Sequence, residues 1–147
     1  MFHKIKNVEA ISNYELLIIF AEGVSKKYDV RITSKKIKDF KRLLSNPDLF
    51  NNVYVDHGGY GVVWDEYFDL DCNELFEHGK TVSTPFDDLI ALSDATELWN
   101  LSESTLRKAI AAHRLVNGVD VCKFGKQWVI SKKAMTREYG HPKERHL

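Results

Sequence analysis

The chain has 147 residues, 44% of them hydrophobic and 29% charged, and its 21 lysines and arginines balance 21 aspartates and glutamates. A chain of this length buries enough surface to fold without metal or disulfide staples. Its longest apolar run, Leu16 to Ala21, falls far short of the about 20 residues a membrane helix needs, which excludes a membrane partner of that kind.

From Glu15 to Ala21 the chain is almost wholly apolar and short, as in a strand covered on both faces. Tyr28, Val30 and Ile32 then alternate with Asp29 and Arg31, the pattern of a half-buried strand, and Ile5–Ile11 is expected to pair with these two. Ser34 is the expected N-cap of a helix reaching about Leu44, with Ile37, Phe40 and Leu44 as its buried stripe. Lys35, Lys36, Lys38, Lys41 and Arg42 cover the rest of that helix, as on an ordinary solvated face.

After Asn46-Pro47, strands near Val53–His57 and Tyr60–Trp64 flank Gly58-Gly59, a hairpin signal. No lysine and no helix start follow Gly61, so this glycine cluster lacks the features of a phosphate cradle. Asp71 to His78 reads as a helix with Asp71 at the N-cap, Glu74 completing a capping box and Gly79 ending it. Residues 81–90, with Ser83, Thr84 and Pro85, read as a linker between domains.

Beyond the linker, Ser93 is the expected cap of a helix carrying Ala95, Leu98 and Trp99, which Asn100 stops. Ser102 caps a second helix with Leu106, Ala109 and Ile110 turned inward. Two short helices joined by so tight a turn have helix-turn-helix geometry, in which the second helix enters the major groove of DNA. Val119, Val121 and Phe124, then Gly125-Lys126, then Trp128, Val129 and Ile130 predict a β-hairpin with a basic tip, a wing. Ser131 caps a last helix, Lys132–Tyr139, ended by Gly140.

Charge sharpens this reading. Residues 1–80 carry −2, residues 81–103 carry −5 with no base at all, and residues 104–147 carry +7. Partners sense local fields over about a Debye length, so the neutral total conceals a basic C-terminal third. Ser104, Thr105, Arg107 and Lys108 lie off the buried stripe near the start of the second helix and are the candidates for base contacts. Arg114, Lys123, Lys126, Gln127, Lys132 and Lys133 are the candidates for phosphate contacts, aided by the N–H groups at the helix starts after Ser102 and Ser131.

Catalysis has no comparable signal. The six histidines are scattered, neither cysteine has a neighbouring histidine, and no serine sits in a nucleophile elbow. No enzyme activity, metal or cofactor is therefore expected. Cys72 and Cys122, fifty positions apart, make neither a disulfide framework nor a metal spacing. With no signal-peptide pattern in Met1–Lys6, a cytoplasmic protein of bacterial type with reduced thiols is expected.

The run Leu92-Ser93 to Ile110, continued by Lys123-Phe124-Gly125-Lys126-Gln127-Trp128-Val129-Ile130 and Ser131–Tyr139, resembles the excisionase and MerR-like winged-helix families. That resemblance implies duplex DNA binding by the second helix and the wing. Asp48-Leu49-Phe50, Trp64, Asp69-Leu70 and Glu74-Leu75-Phe76-Glu77-His78-Gly79 resemble the bacterial domain-of-unknown-function family 2442. The second resemblance implies an antitoxin or regulator role and supplies no catalytic residues.

The expected fold class is α+β: a small antiparallel sheet with helices, followed by a winged helix-turn-helix domain. The expected boundaries are 1–80 for a partner-binding or dimerisation domain, 81–90 for the linker, 91–140 for the DNA-binding domain and 141–147 for a tail. The expected function is an antitoxin-type autorepressor that binds double-stranded DNA and a cognate toxin, with a homodimer as the default state. The alternative is a protein-interaction adaptor without DNA binding, motivated by Ala111 and Ala112 and by the acidic 81–103 stretch.

Overall fold

A computed structural model describes residues 2–142. The chain divides into two compact units, residues 2–85 and 86–142 of the described chain, each with its own buried apolar cluster.

The first unit opens with β1 (Ile5–Ala10), β2 (Glu15–Phe20) and β3 (Ser25–Asp29), an antiparallel meander. Leu16, Ile18 and Phe20 are fully buried while Leu17 and Ile19 are half-buried, so β2 is covered more heavily on one face than on the other. Next come α1 (Arg31–Lys36), α2 (Phe40–Leu44) and α3 (Pro47–Asn51), then a second small sheet of β4 (Tyr54–Val55), β5 (Gly61–Val63) and β6 (Asp69–Asp71). Helix α4 (Cys72–His78) leads into β7 (Lys80–Val82), which returns to pair with β3 and completes the sheet order β1-β2-β3-β7.

Several expectations are corrected here. The single helix from Ser34 to Leu44 is two helices, broken where Ile37 takes extended backbone and stands 51% exposed. Ser34 is not its cap: it is buried within α1 and its hydroxyl donates back to Arg31 O at 2.9 Å. The reason is polar. Buried Tyr28 shares a 2.7 Å hydrogen bond with Thr33 Oγ1, so α1 turns Thr33 and Ser34 inward instead of the apolar stripe. Asp71 does cap α4, accepting from Asn73 N at 2.8 Å, but Glu74 closes no capping box. Its Oε2 accepts from the Tyr28 hydroxyl at 2.7 Å instead. The local pattern announces neither helix α3 nor strand β6; Asn46 caps the former, its Oδ1 accepting from Leu49 N at 3.2 Å.

The hairpin between β4 and β5 is present, and Gly59 is needed in it. Its φ is +81° and a Cβ would meet Ile5 O at 2.6 Å. Trp64, packed against Phe40 and Phe50, donates its indole N–H to Phe50 O at 3.0 Å, closing the core under this sheet.

The second unit starts with β8 (Leu89–Ala91) and runs through α5 (Leu92–Trp99), α6 (Glu103–Ala111), β9 (Val121–Phe124), β10 (Gln127–Ser131) and α7 (Lys132–Tyr139). Strand β10 lies between β8 and β9. Leu92, Ala95, Trp99, Leu106, Ala109, Leu115, Ile130 and Met135 form the core. The stretch 81–90 is thus drawn into both sheets at its ends, through β7 and β8. Among the described residues no helix is long and apolar enough to cross a membrane. Residues 143–147 of the expected tail lie outside the described residues.

Candidate nucleic-acid interface

The two helices α5 and α6 are joined through a turn that each neighbouring residue specifies. Asn100 closes α5 in the left-handed region, φ +53°, a conformation asparagine tolerates. Leu101 packs on the core from the turn and donates its N–H to Thr96 O at 3.0 Å. Ser102 then caps α6, its Oγ accepting from Thr105 N at 3.0 Å. Ser93 does not cap α5: the N-cap is Ala91, without a side-chain bond, and Ser93 lies inside the helix.

Leu106 and Ala109 fix the buried face of α6, which leaves Ser104, Arg107 and Lys108 exposed. Thr105 is half-buried and its Oγ1 lies 2.8 Å from Ser102 Oγ, so its hydroxyl is engaged at the cap. Glu103, Ser104, Arg107, Lys108 and Ala111 line one shallow, open depression along the helix. Arg107 does not stand alone there: its Nη2 donates to Glu103 Oε1 at 2.6 Å, an exposed pair one turn apart.

Of the residues expected at phosphates, Arg114, Lys123, Lys126, Gln127 and Lys133 are exposed and Lys132 is half-buried. Lys126 follows Gly125, whose φ of +63° forms the tip of the β9–β10 hairpin. Lys123 Nζ sits over the ring of Trp128, its partner across the β9–β10 ladder, at 5.3 Å from the ring centroid.

The N-terminus of α7 differs from expectation. Ser131 does cap it, accepting from Ala134 N at 3.2 Å, but the carboxylate of Asp88 is seated there as well. Asp88 Oδ1 accepts from Lys133 N at 3.1 Å, its Oδ2 accepts from Ser131 Oγ at 2.7 Å, and its carbonyl accepts from Lys132 N at 2.8 Å. The first amides are therefore occupied within the chain, Lys133 N by the Asp88 carboxylate, Lys132 N by its carbonyl and Ala134 N by Ser131 Oγ, and are not offered to a phosphate. Asp88 adopts φ +70° to do this.

Sequence reasoning missed two other arrangements. The Glu103–Arg107 pair was legible from its i, i+4 spacing. Asp120, almost fully buried, accepts from Arg137 and from Val116 N at 2.8 Å, and no local pattern announces a partner so far along the chain. Hydrogen bonds from Arg137, then from the Val116 amide, hold the Asp120 carboxyl below the usual range. Among the described residues no group of three or more His, Cys, Asp or Glu side chains is placed to hold a metal, and both cysteines are free thiols, Cys72 buried and Cys122 exposed.

The family model described as "Protein of unknown function (DUF2442)" matches residues 5–81. The chain belongs to this family. A second model, described as "Helix-turn-helix domain", matches residues 81–144, the part that carries α5, α6 and the hairpin. No curated protein matches the chain. A crystal structure titled "Putative DNA Binding Protein NE0471", from Nitrosomonas europaea, is 19% identical, covering 75% of this chain and 76% of its own, at a TM-score of 0.42. The DUF2442 part thus corresponds to the first compact unit and the helix-turn-helix part to the second.

Proposed function

We propose that this protein is a transcriptional regulator that binds duplex DNA through α6 and the β9–β10 hairpin, the latter acting as a wing. The observation that carries this reading is α6 itself: a capped second helix of a helix-turn-helix, buried through Leu106 and Ala109, with Ser104, Arg107 and Lys108 exposed. Ser104, Arg107 and Lys108 reach base edges, and Thr105 contributes its methyl group rather than its engaged hydroxyl. Arg114, Lys123, Lys126, Gln127, Lys132 and Lys133 neutralise phosphates through their side chains. The local charge of +7 over residues 104–147 supports the assignment.

The finer proposal is an antitoxin-type autorepressor in the bacterial cytoplasm. Residues 2–85 capture a toxin or pair two copies, and a homodimer matches a two-fold operator. The support is the independent core of this unit and its joining, in one chain, to a part that matches a helix-turn-helix domain model.

The test is a titration of the full chain with duplex DNA from its own upstream region over a salt series. Phosphate-dominated binding makes log affinity fall linearly with log salt. Absence of binding at low salt, or equal binding by the Arg107→Ala/Lys108→Ala variant, overturns the reading. A second reading, an adaptor without DNA binding, is favoured by the carboxylates of Glu103 and Asp88, which occupy Arg107 and the start of α7. A partner that co-purifies with protein free of nucleic acid would favour it.

A further inference from the structure

Glu103 is the one acid on a helix surface assigned to a polyanion, and it is neither buried nor distant from the contact face. Its side chain is 58% exposed, it lines the same depression as Arg107 and Lys108, and it holds Arg107 at 2.6 Å. A carboxylate there is repelled by every phosphate. In the major groove, by contrast, it can accept from the exocyclic amino group of cytosine.

We propose that Glu103 and Arg107 act as one base-reading unit selective for a G·C pair or step, so that Glu103 is a specificity residue; this rests on the DNA-binding reading of α6. The pairing chemistry is complementary. Guanine offers O6 and N7 as acceptors to a guanidinium, and its partner cytosine offers N4–H2 as a donor to a carboxylate in the same groove. The ion pair engages Nη2, one of three guanidinium nitrogens, and Oε1, one of two carboxylate oxygens. A guanidinium has five N–H donors and a carboxylate about four acceptor sites, so both can meet base edges without first separating. At a phosphate the pair gains nothing, because the carboxylate cancels the charge that would attract Arg107. The unit therefore discounts non-specific contact and favours a base pair that satisfies both partners. Small Ser104 and Ala111 line the depression beside it.

The experiment is selection by the full chain from a pool of randomised duplexes, with the bound fraction sequenced for wild type, Glu103→Ala, Glu103→Gln and Arg107→Ala. The wild type is expected to enrich a motif with a fixed G·C pair or step. Glu103→Ala loses the cytosine preference there, by about tenfold in discrimination, and leaves the other positions of the motif unchanged. Glu103→Gln, which keeps an acceptor oxygen, retains part of the preference, and Arg107→Ala loses the guanine preference at the same place. Tighter binding of Glu103→Ala to all duplexes with the G·C preference intact would overturn the inference, since Glu103 would then only repel DNA. An unchanged motif in that variant would overturn it as well. Failure of the wild type to retain any duplex defeats the DNA-binding reading itself, and is distinguishable from both.

Discussion

Asp120 grips Arg137 at two points, Nη1 to Oδ1 at 3.2 Å and Nη2 to Oδ2 at 2.9 Å. The same guanidinium donates to Arg114 O at 3.1 Å, and the carbonyl of Asp120 accepts from Ser131 N at 2.9 Å. One buried aspartate thereby joins three places: its carboxylate holds the loop before β9 and, through Arg137, the exit of α6, while its carbonyl holds the start of α7. The loop before β9, the end of β10 and α7 are held to one another by this junction.

Replacing Asp120 by alanine is expected to lower the melting temperature of the second unit by roughly 4–8 °C, the shift that about 1 kcal/mol produces in a domain of this size. The pH dependence follows from the depressed carboxyl. A carboxylate with a lowered folded-state value contributes fully above the unfolded value, about 3.9. The contribution is lost as pH falls through the lower folded value. Thermal melts should show stability declining below about pH 4 in the wild type, with this part of the decline missing in Asp120→Asn.

Tyr28 gives the opposite sign in the first unit. Burial, more than its neighbours, pushes its hydroxyl well above the ordinary tyrosine range, and Glu74 and Asp29 add to the shift. The neutral form is favoured in the folded state, so this stabilisation is present below pH about 10 and fades as pH rises beyond it. An ultraviolet difference titration should show a tyrosine whose ionisation is displaced to higher pH. Tyr28→Phe should remove that signal and cost about 1 kcal/mol through the lost hydrogen bonds.

Because the buried clusters of the two units share no residue, core damage should stay local. Leu106→Ala should destabilise the second unit by about 2–5 kcal/mol, and Gly59→Ala the first by at least about 1 kcal/mol, given its positive φ and the backbone oxygen in the way. Calorimetry of the full chain should show one transition moving in each variant while the other stays in place.

Asp88 links stability to DNA affinity. Asp88→Ala removes a carboxylate from the start of α7 and uncaps Lys133 N, at a cost of about 1 kcal/mol. The same change frees one amide, that of Lys133, and deletes a negative charge beside Lys132 and Lys133. Non-specific DNA binding should therefore strengthen while the melting temperature falls, which gel shift and thermal denaturation would check together.

The second unit was far more legible in the sequence than the first. Its helix starts at Ser102 and Ser131, the stop at Asn100 and the Gly125-Lys126 turn are local signals, and all four act as read. The first unit misled where a distant polar partner overrode a local pattern. Tyr28 drew Thr33 inward and took Glu74 from its capping role, which broke one expected helix into α1 and α2. The α6 surface is legible residue by residue, but its ion pair is masked by the second role of Glu103. Glu103 satisfies the helix dipole and also holds Arg107. Asp88 at α7 lies 43 residues from Ser131, beyond the reach of any capping motif.

The central claim, that α6 and the β9–β10 hairpin face DNA, is tested most directly by amide chemical-shift mapping of the full chain titrated with its upstream duplex. The account predicts perturbations concentrated on residues 102–112, 123–127 and 132–133, with those of residues 2–85 small. Perturbations confined to residues 2–85, or no shifts at low salt, would contradict it.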